Sequence, residues 1–199
     1  VQSTNLVDRI WQYQPAPPML PVKSHQIEFA GETSVSKCAR LAHELRAAGH
    51  RASVITQPDS IMWLLNIRGA DIARNPVAHC FAVLHDDARV DLFIAAGKLD
   101  GLNDWLDATV TVQDPSAFLD CLSKLPGPVA IDSGTAPQRV ADALGDKFVF
   151  GSDPCALPKA CKNAAEIEGS AAAHLRDGAA MVELLCWLDA QEPGSLSET

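Results

Sequence analysis

Hydrophobic positions change period several times along this chain, and the changes outline a fold. Cys38, Leu41, Ala42 and Leu45 recur at helical spacing behind Thr33 and Ser34, either of which can cap a helix, and Gly49 ends the run. Short β-rich runs follow at 52–56, 80–84, 90–95, 109–112, 129–131 and 148–150, separated by amphipathic stretches around 59–66, 98–107, 115–124 and 136–143. The runs ending at Leu84 and starting at Arg89 are close enough to pair as a hairpin across His85-Asp86-Asp87-Ala88. Later runs are separated by helix-length segments that permit parallel crossovers. The pattern predicts an α/β domain with a mixed β-sheet flanked by helices, followed by a long C-terminal helix.

That last helix has its own signals. Asn163 can cap it and Glu166, three residues on, can complete a capping box. Ile167, Ala171, His174, Gly178, Met181, Leu185 and Leu188 then fall in steps of four and three, an apolar stripe about 40 Å long that calls for a partner surface. At the other end, residues 1–32 carry Pro15, Pro17, Pro18 and Pro21 without sustained periodicity and read as a linker. The chain starts at Val1 rather than Met and stops soon after its longest helix, so flanking sequence is expected on both sides.

Composition narrows the partners. A hydrophobic content of 47% over 199 residues supports one buried core. The net charge of -9, with no cluster of Lys and Arg, argues against nucleic acid and against an anionic membrane. No apolar run is long enough to suggest a membrane span, and the start lacks a signal-peptide plan. The six cysteines are scattered without metal-ligand spacing and read as small core residues of a cytoplasmic protein.

Candidate chemistry is sparse. His174 on the stripe reads as packing, and Asp132-Ser133-Gly134 as turn chemistry after a strand. No Gly-rich phosphate loop and no nucleophile elbow is present. The densest polar and aromatic block is 63–77, where the helical pattern breaks at Gly69 and Arg68 and Asp71 flank a turn.

These blocks carry a resemblance. Asn5-Leu6-Val7-Asp8 with Trp11, then Pro21-Val22 and Glu28-Phe29-Ala30-Gly31, resemble the junction between the first two domains of the aminopeptidase P family, the Xaa-Pro aminopeptidases of creatinase and prolidase architecture. Ile61-Met62-Trp63-Leu64-Leu65-Asn66-Ile67-Arg68-Gly69 with Asp71-Ile72 and Asn75-Pro76-Val77 resembles the signature of the family's second domain, and Asp132-Ser133 with Thr135-Ala136 a later part of it. Lys159-Ala160, Lys162-Asn163, Glu166, Gly169, Ala173-His174, Arg176-Asp177 and Leu188 resemble the lead-in to its catalytic domain.

The resemblance implies a three-domain peptidase that removes an N-terminal residue ahead of proline with two divalent metal ions, usually manganese, in a C-terminal pita-bread domain. Residues 1–32 would then link from a preceding domain, 33–158 would be a middle creatinase N-terminal-like domain, and 159–199 would open the catalytic domain. The family's metal ligands, two Asp, one His and two Glu, follow the segment where this chain stops, so neither catalytic residues nor a metal site are expected in it. Asp132 is a false match to the first of them, because the position 11 residues on is Ala143. Arg68, Asp71 and His79 are the candidates for facing the substrate cleft. The expected partners are peptides with proline second, the flanking domains and a possible further copy in an oligomer. Two other readings remain: a non-catalytic binding or oligomerisation domain sharing the fold, and a self-sufficient hydrolase using Asp132 or His174.

Overall fold

The computed structural model describes residues 6–102 and 104–197; Asn5 and Asn103 lie outside the described residues. The elements in order are α1 (Leu6–Ile10), β1 (Lys23–Ser24), α2 (Ile27–Ala30), α3 (Ser34–Ala47), β2 (Ala52–Ile55), α4 (Pro58–Leu64), β3 (Ile67–Arg68), β4 (Phe81–His85) and β5 (Val90–Phe93). They continue as β6 (Val110–Gln113), α5 (Phe118–Lys124), β7 (Val129–Asp132), α6 (Gln138–Leu144), β8 (Phe148–Gly151), α7 (Ala156–Ala160) and α8 (Ala164–Asp189).

Six strands form one sheet in the order β6-β5-β4-β2-β7-β8. β4 pairs antiparallel with both β2 and β5, while β5 with β6, β2 with β7 and β7 with β8 are parallel. β4 is therefore the one strand of this sheet that runs against the rest, and the expected mixed sheet and its β4–β5 hairpin are both present.

Alternation along the strands sorts the core onto two faces. Ile55, Ala82, Leu84, Val90 and Leu92 point into a cluster with Cys38, Leu41 and Leu45 of α3 and with α4. Val54, Val83, Phe93, Val129 and Ile131 point the other way, onto Phe118 and Leu122 of α5 and Val140 and Leu144 of α6. Phe118 stacks on Phe81 with ring centroids 4.5 Å apart. The result is a sheet between two helical layers.

Two stretches depart from the sequence pattern. Among its described residues the amphipathic run at 98–107 forms no α-helix: a 3₁₀ turn at Ala96–Lys98 precedes Leu99 and Leu102, both buried, and Gly101 takes φ +88° between them, a value that leaves the helical region. In the proline-rich stretch expected as linker, the chain joins the body at Val22, which is 3% exposed and donates its N–H to Lys98 O at 2.8 Å. β1 then pairs with β3, and Ala30 of α2 is buried.

Helix α8 has the expected cap and a different environment. Asn163 and Glu166 form the reciprocal capping box, yet none of the 26 residues of α8 is buried. Ile167, Met181, Leu185 and Leu188 of the stripe are exposed, and so are Leu184 and Trp187. At about 100° per residue Trp187 lies nearly opposite the stripe, so apolar side chains occupy both sides of the C-terminal half.

Candidate functional site

The chain reverses between α4 and β3, and Asn66 makes the reversal. Asn66 holds φ +52°, a left-handed conformation that Asn adopts more readily than most residues. Its carbonyl accepts from His25 N–H at 2.7 Å and Trp105 Nε1 at 3.0 Å, and its Nδ2 donates to Glu32 O at 2.8 Å. Lys37 of α3 completes the set: it is 1% exposed and donates to Asn66 Oδ1 at 2.7 Å and Trp63 O at 2.9 Å. Its ammonium also sits 4.3 Å from the centroid of the Trp63 ring. Burial pushes Lys37 down to about 8, Arg68 pushes the same way, and Glu166 and Glu32 oppose them.

Trp63 links this buried knot to the start of α8. Its Nε1 donates to Glu166 Oε1 at 3.3 Å, while Glu166 Oε2 accepts from Asn163 N–H at 3.0 Å. Asn163 Nδ2 in turn donates to Ala30 O at 2.8 Å. Gly31 ends α2 with φ +68°, and a Cβ there would come within 2.4 Å of Asn163 Oδ1. Lys159 of α7 pairs with Asp59 of α4 alongside. The 63–77 block and the 159–166 block, a hundred residues apart in sequence, therefore meet in one place.

Arg68, Asp71 and His79 are distributed around the next turn rather than gathered on one surface. Arg68 donates through Nη1 to Met62 O at 3.1 Å and Ile67 O at 2.8 Å, and lines a cavity of about 180 Å³ with Trp63, Lys162 and Glu166. Asp71 is enclosed and pairs with Lys98 at 2.5 Å, also accepting from His79 N–H at 2.7 Å. Burial pushes the Asp71 carboxyl up, but the Lys98 ammonium and the His79 N–H outweigh it and hold it below the usual carboxylate range. Asp71 Oδ1 has no partner among the described residues. Between Arg68 and Asp71, Gly69 is so close to the 77–78 backbone that a Cβ would sit 2.3 Å from Ala78 N.

His79 lines a second, larger and mostly apolar cavity of about 480 Å³ with Phe81, Phe93, Lys98 and Asp114, roofed by Pro17-Pro18-Met19. This cavity sits beyond the carboxyl ends of β2, β5 and β6, beside the reversed strand β4, a common place for a ligand crevice in open α/β sheets.

The other candidates are tied into local structure. Asp132 accepts from Gly134 N–H at 2.8 Å and Asp153 N–H at 3.2 Å, so its carboxylate holds two loops. His174 bonds Ser170 O at 2.8 Å on the exposed surface of α8. Among the described residues no group of three or more His, Cys, Asp or Glu side chains is arranged to hold a metal, so these residues do not fit a dinuclear centre. Asn66 belongs to the 63–77 block, whereas Lys37 and Lys98 stand outside every block that the sequence singles out for chemistry. The signal for Lys37 was its place four residues before Leu41 and eight before Leu45, on the face that α3 buries.

Comparison with known proteins agrees with this architecture. The creatinase/prolidase N-terminal domain matches residues 13–166. Aminopeptidase P1 of Arabidopsis thaliana is 33% identical, covering 95% of this chain and 34% of its own length. A probable Xaa-Pro aminopeptidase P of Laccaria bicolor is 35% identical, covering 94% of this chain and 30% of its own. Among solved structures, the X-prolyl aminopeptidase of Caenorhabditis elegans, described as a cytosolic enzyme with a di-nuclear active site, superposes with a TM-score of 0.84 at 30% identity. That match covers 94% of this chain and 32% of the nematode enzyme, so the chain spans about a third of each of these relatives. With the matched domain taking in the whole sheet and its helices, the chain belongs to the creatinase/prolidase N-terminal domain family.

Proposed function

We propose that this chain is the non-catalytic middle part of a cytoplasmic, metal-dependent Xaa-Pro aminopeptidase, which hydrolyses the bond between an N-terminal residue and a following proline. In this reading the body shapes the outer wall of the peptide cleft and sets the direction of the helix that opens the catalytic part. The observation that carries it is the meeting of Trp63 and Asp59 with Glu166 and Lys159, which joins the second-domain block to the catalytic lead-in through side-chain bonds. Exposed apolar side chains on both sides of α8 add support, because a helix with that pattern is normally enclosed by protein.

Two divalent ions, manganese by resemblance, would be held by residues outside this chain. Arg68 and His79 would serve the cleft from its wall, and Asp71 would act beneath them by fixing the 71–79 loop. The test pairs the 199-residue chain with the full-length gene product on a peptide with proline second, each with manganese. Hydrolysis by the full product and none by the chain is expected. Metal-dependent turnover by the chain alone would move catalysis into it. Inactivity of both would favour the second reading, a binding or oligomerisation domain, which the exposed α8 also accommodates.

A further inference from the structure

The 180 Å³ cavity beside α8 differs from the larger one in its charge. Three cations line it, Arg68, Lys159 and Lys162, against two carboxylates, Asp59 and Glu166, an excess of one positive charge in a chain whose net charge is -9. Lys159 is paired with Asp59. Glu166 is engaged by Asn163 N–H and Trp63 Nε1. Arg68 and Lys162 remain: among the described residues, no carboxylate lies within ion-pair distance of either. Among the described residues Lys162 donates only to Lys159 O.

A guanidinium partly withdrawn from water without a counter-ion is costly, and burial does push Arg68 below its ordinary value, partly offset by Glu166. Both protein bonds of Arg68 use Nη1, which leaves Nε and Nη2 as the adjacent donor pair that a carboxylate takes in bidentate fashion. Met62, Pro76 and Val77 supply apolar wall to the cavity. A monoanion balances the single excess charge, whereas a phosphate dianion exceeds it and meets stronger repulsion from Asp59 and Glu166.

We infer that this cavity is a binding site for a carboxylate on a short apolar stem, with Arg68 as the bidentate donor and Lys162 as the second cation. A peptide C-terminus and a small organic acid share that chemistry. The inference deepens the cleft reading of Arg68, but its test reads binding and needs no hydrolysis, so it fails or stands independently of the peptidase assignment.

The test titrates the 199-residue chain with N-acetyl-leucine, its amide, trileucine and inorganic phosphate, following the Trp63 indole and Arg68 Nε resonances by NMR. Saturable shifts with the acid are expected, at least ~10-fold tighter than with the amide or phosphate. Tighter binding of trileucine than of N-acetyl-leucine would assign the peptide source, and the reverse the small acid. Arg68→Gln should weaken the acid at least ~10-fold without rescue in Arg68→Lys. Because Arg68 also holds two carbonyls, Lys162→Gln, at an exposed position, gives a second measure and should cost about threefold in affinity. Equal affinity for acid and amide overturns the site. So does phosphate binding as tight as the acid and indifferent to Lys162→Gln, which would mark an adventitious ion only.

Discussion

The α/β body and helix α8 are built on opposite terms. In the body, Leu41, Leu92 and Phe93 are fully enclosed, and α3, α4, α5 and α6 each bury a face. In α8 nothing is enclosed, and what ties it to the body lies at its first turn. The body is therefore stabilised by buried area and by a few enclosed polar bonds, and α8 by a cap and local hydrogen bonds. Large apolar residues occur in both, since α8 also carries Leu, Met, Val and Trp; what separates the two is contact with a second layer.

The strongest way to break this contrast is at the enclosed ion pair. Asp71→Ala leaves the Lys98 ammonium buried without its partner and should lower stability by about 3–5 kcal/mol in urea unfolding. A loss below about 1 kcal/mol would mean the body tolerates an unpaired charge as a surface would. The pH dependence follows from the depressed carboxyl: the contribution is complete above the unfolded value near 4 and is lost as pH falls through the lower folded value.

A smaller effect belongs to Lys37. Its folded value of about 8 lies below the ordinary 10.5, so between those limits the unfolded chain holds a proton that the folded chain has released. Stability of the wild type relative to Lys37→Met should therefore rise with pH across that window, by on the order of 1–3 kcal/mol. The Cys38 and Cys80 thiols, both pushed up to about 12 by burial, lower stability as pH climbs; Cys80 does so in both proteins, while Lys37→Met also removes an ammonium that draws Cys38 down and so adds to the same rising difference. A flat difference between the two unfolding series would place Lys37 in water.

The mildest changes test α8. Asn163→Ala removes the cap and should cost about 1 kcal/mol, read as faster amide exchange in the first turn of α8. Leu185→Ala in the exposed half should shift unfolding by less than about 0.5 kcal/mol. A loss of 2 kcal/mol there would show α8 packed like the body's helices.

What was legible in the sequence follows the same division. α3 with its Thr33 cap, the strands and the Asn163–Glu166 box announce themselves by local period and capping chemistry. The buried pairings do not, because Lys37 with Asn66 and Asp71 with Lys98 join residues 29 and 27 positions apart. Lysine reads as surface until a partner is known. Arg68 and Asp71 stand in one polar block, with His79 just beyond it as a further cleft candidate, but Gly69 lets the chain double back tightly, and the turn sends the three to two cavities and an enclosed pair. The 98–107 run has helical spacing yet buries Leu99 and Leu102 through turns, since Gly101 breaks the backbone path.

The capping box at Asn163 also has a mechanical consequence. With 26 residues, α8 reaches about 39 Å from its first turn to its last. A tilt of about 10° at the box would sweep the far end through about 7 Å, more than the rise of one helical turn. Asn163, Glu166 and Trp63 thus act as the pivot of a long lever. A shift of a few tenths of an ångström among them is magnified many times over at Leu188.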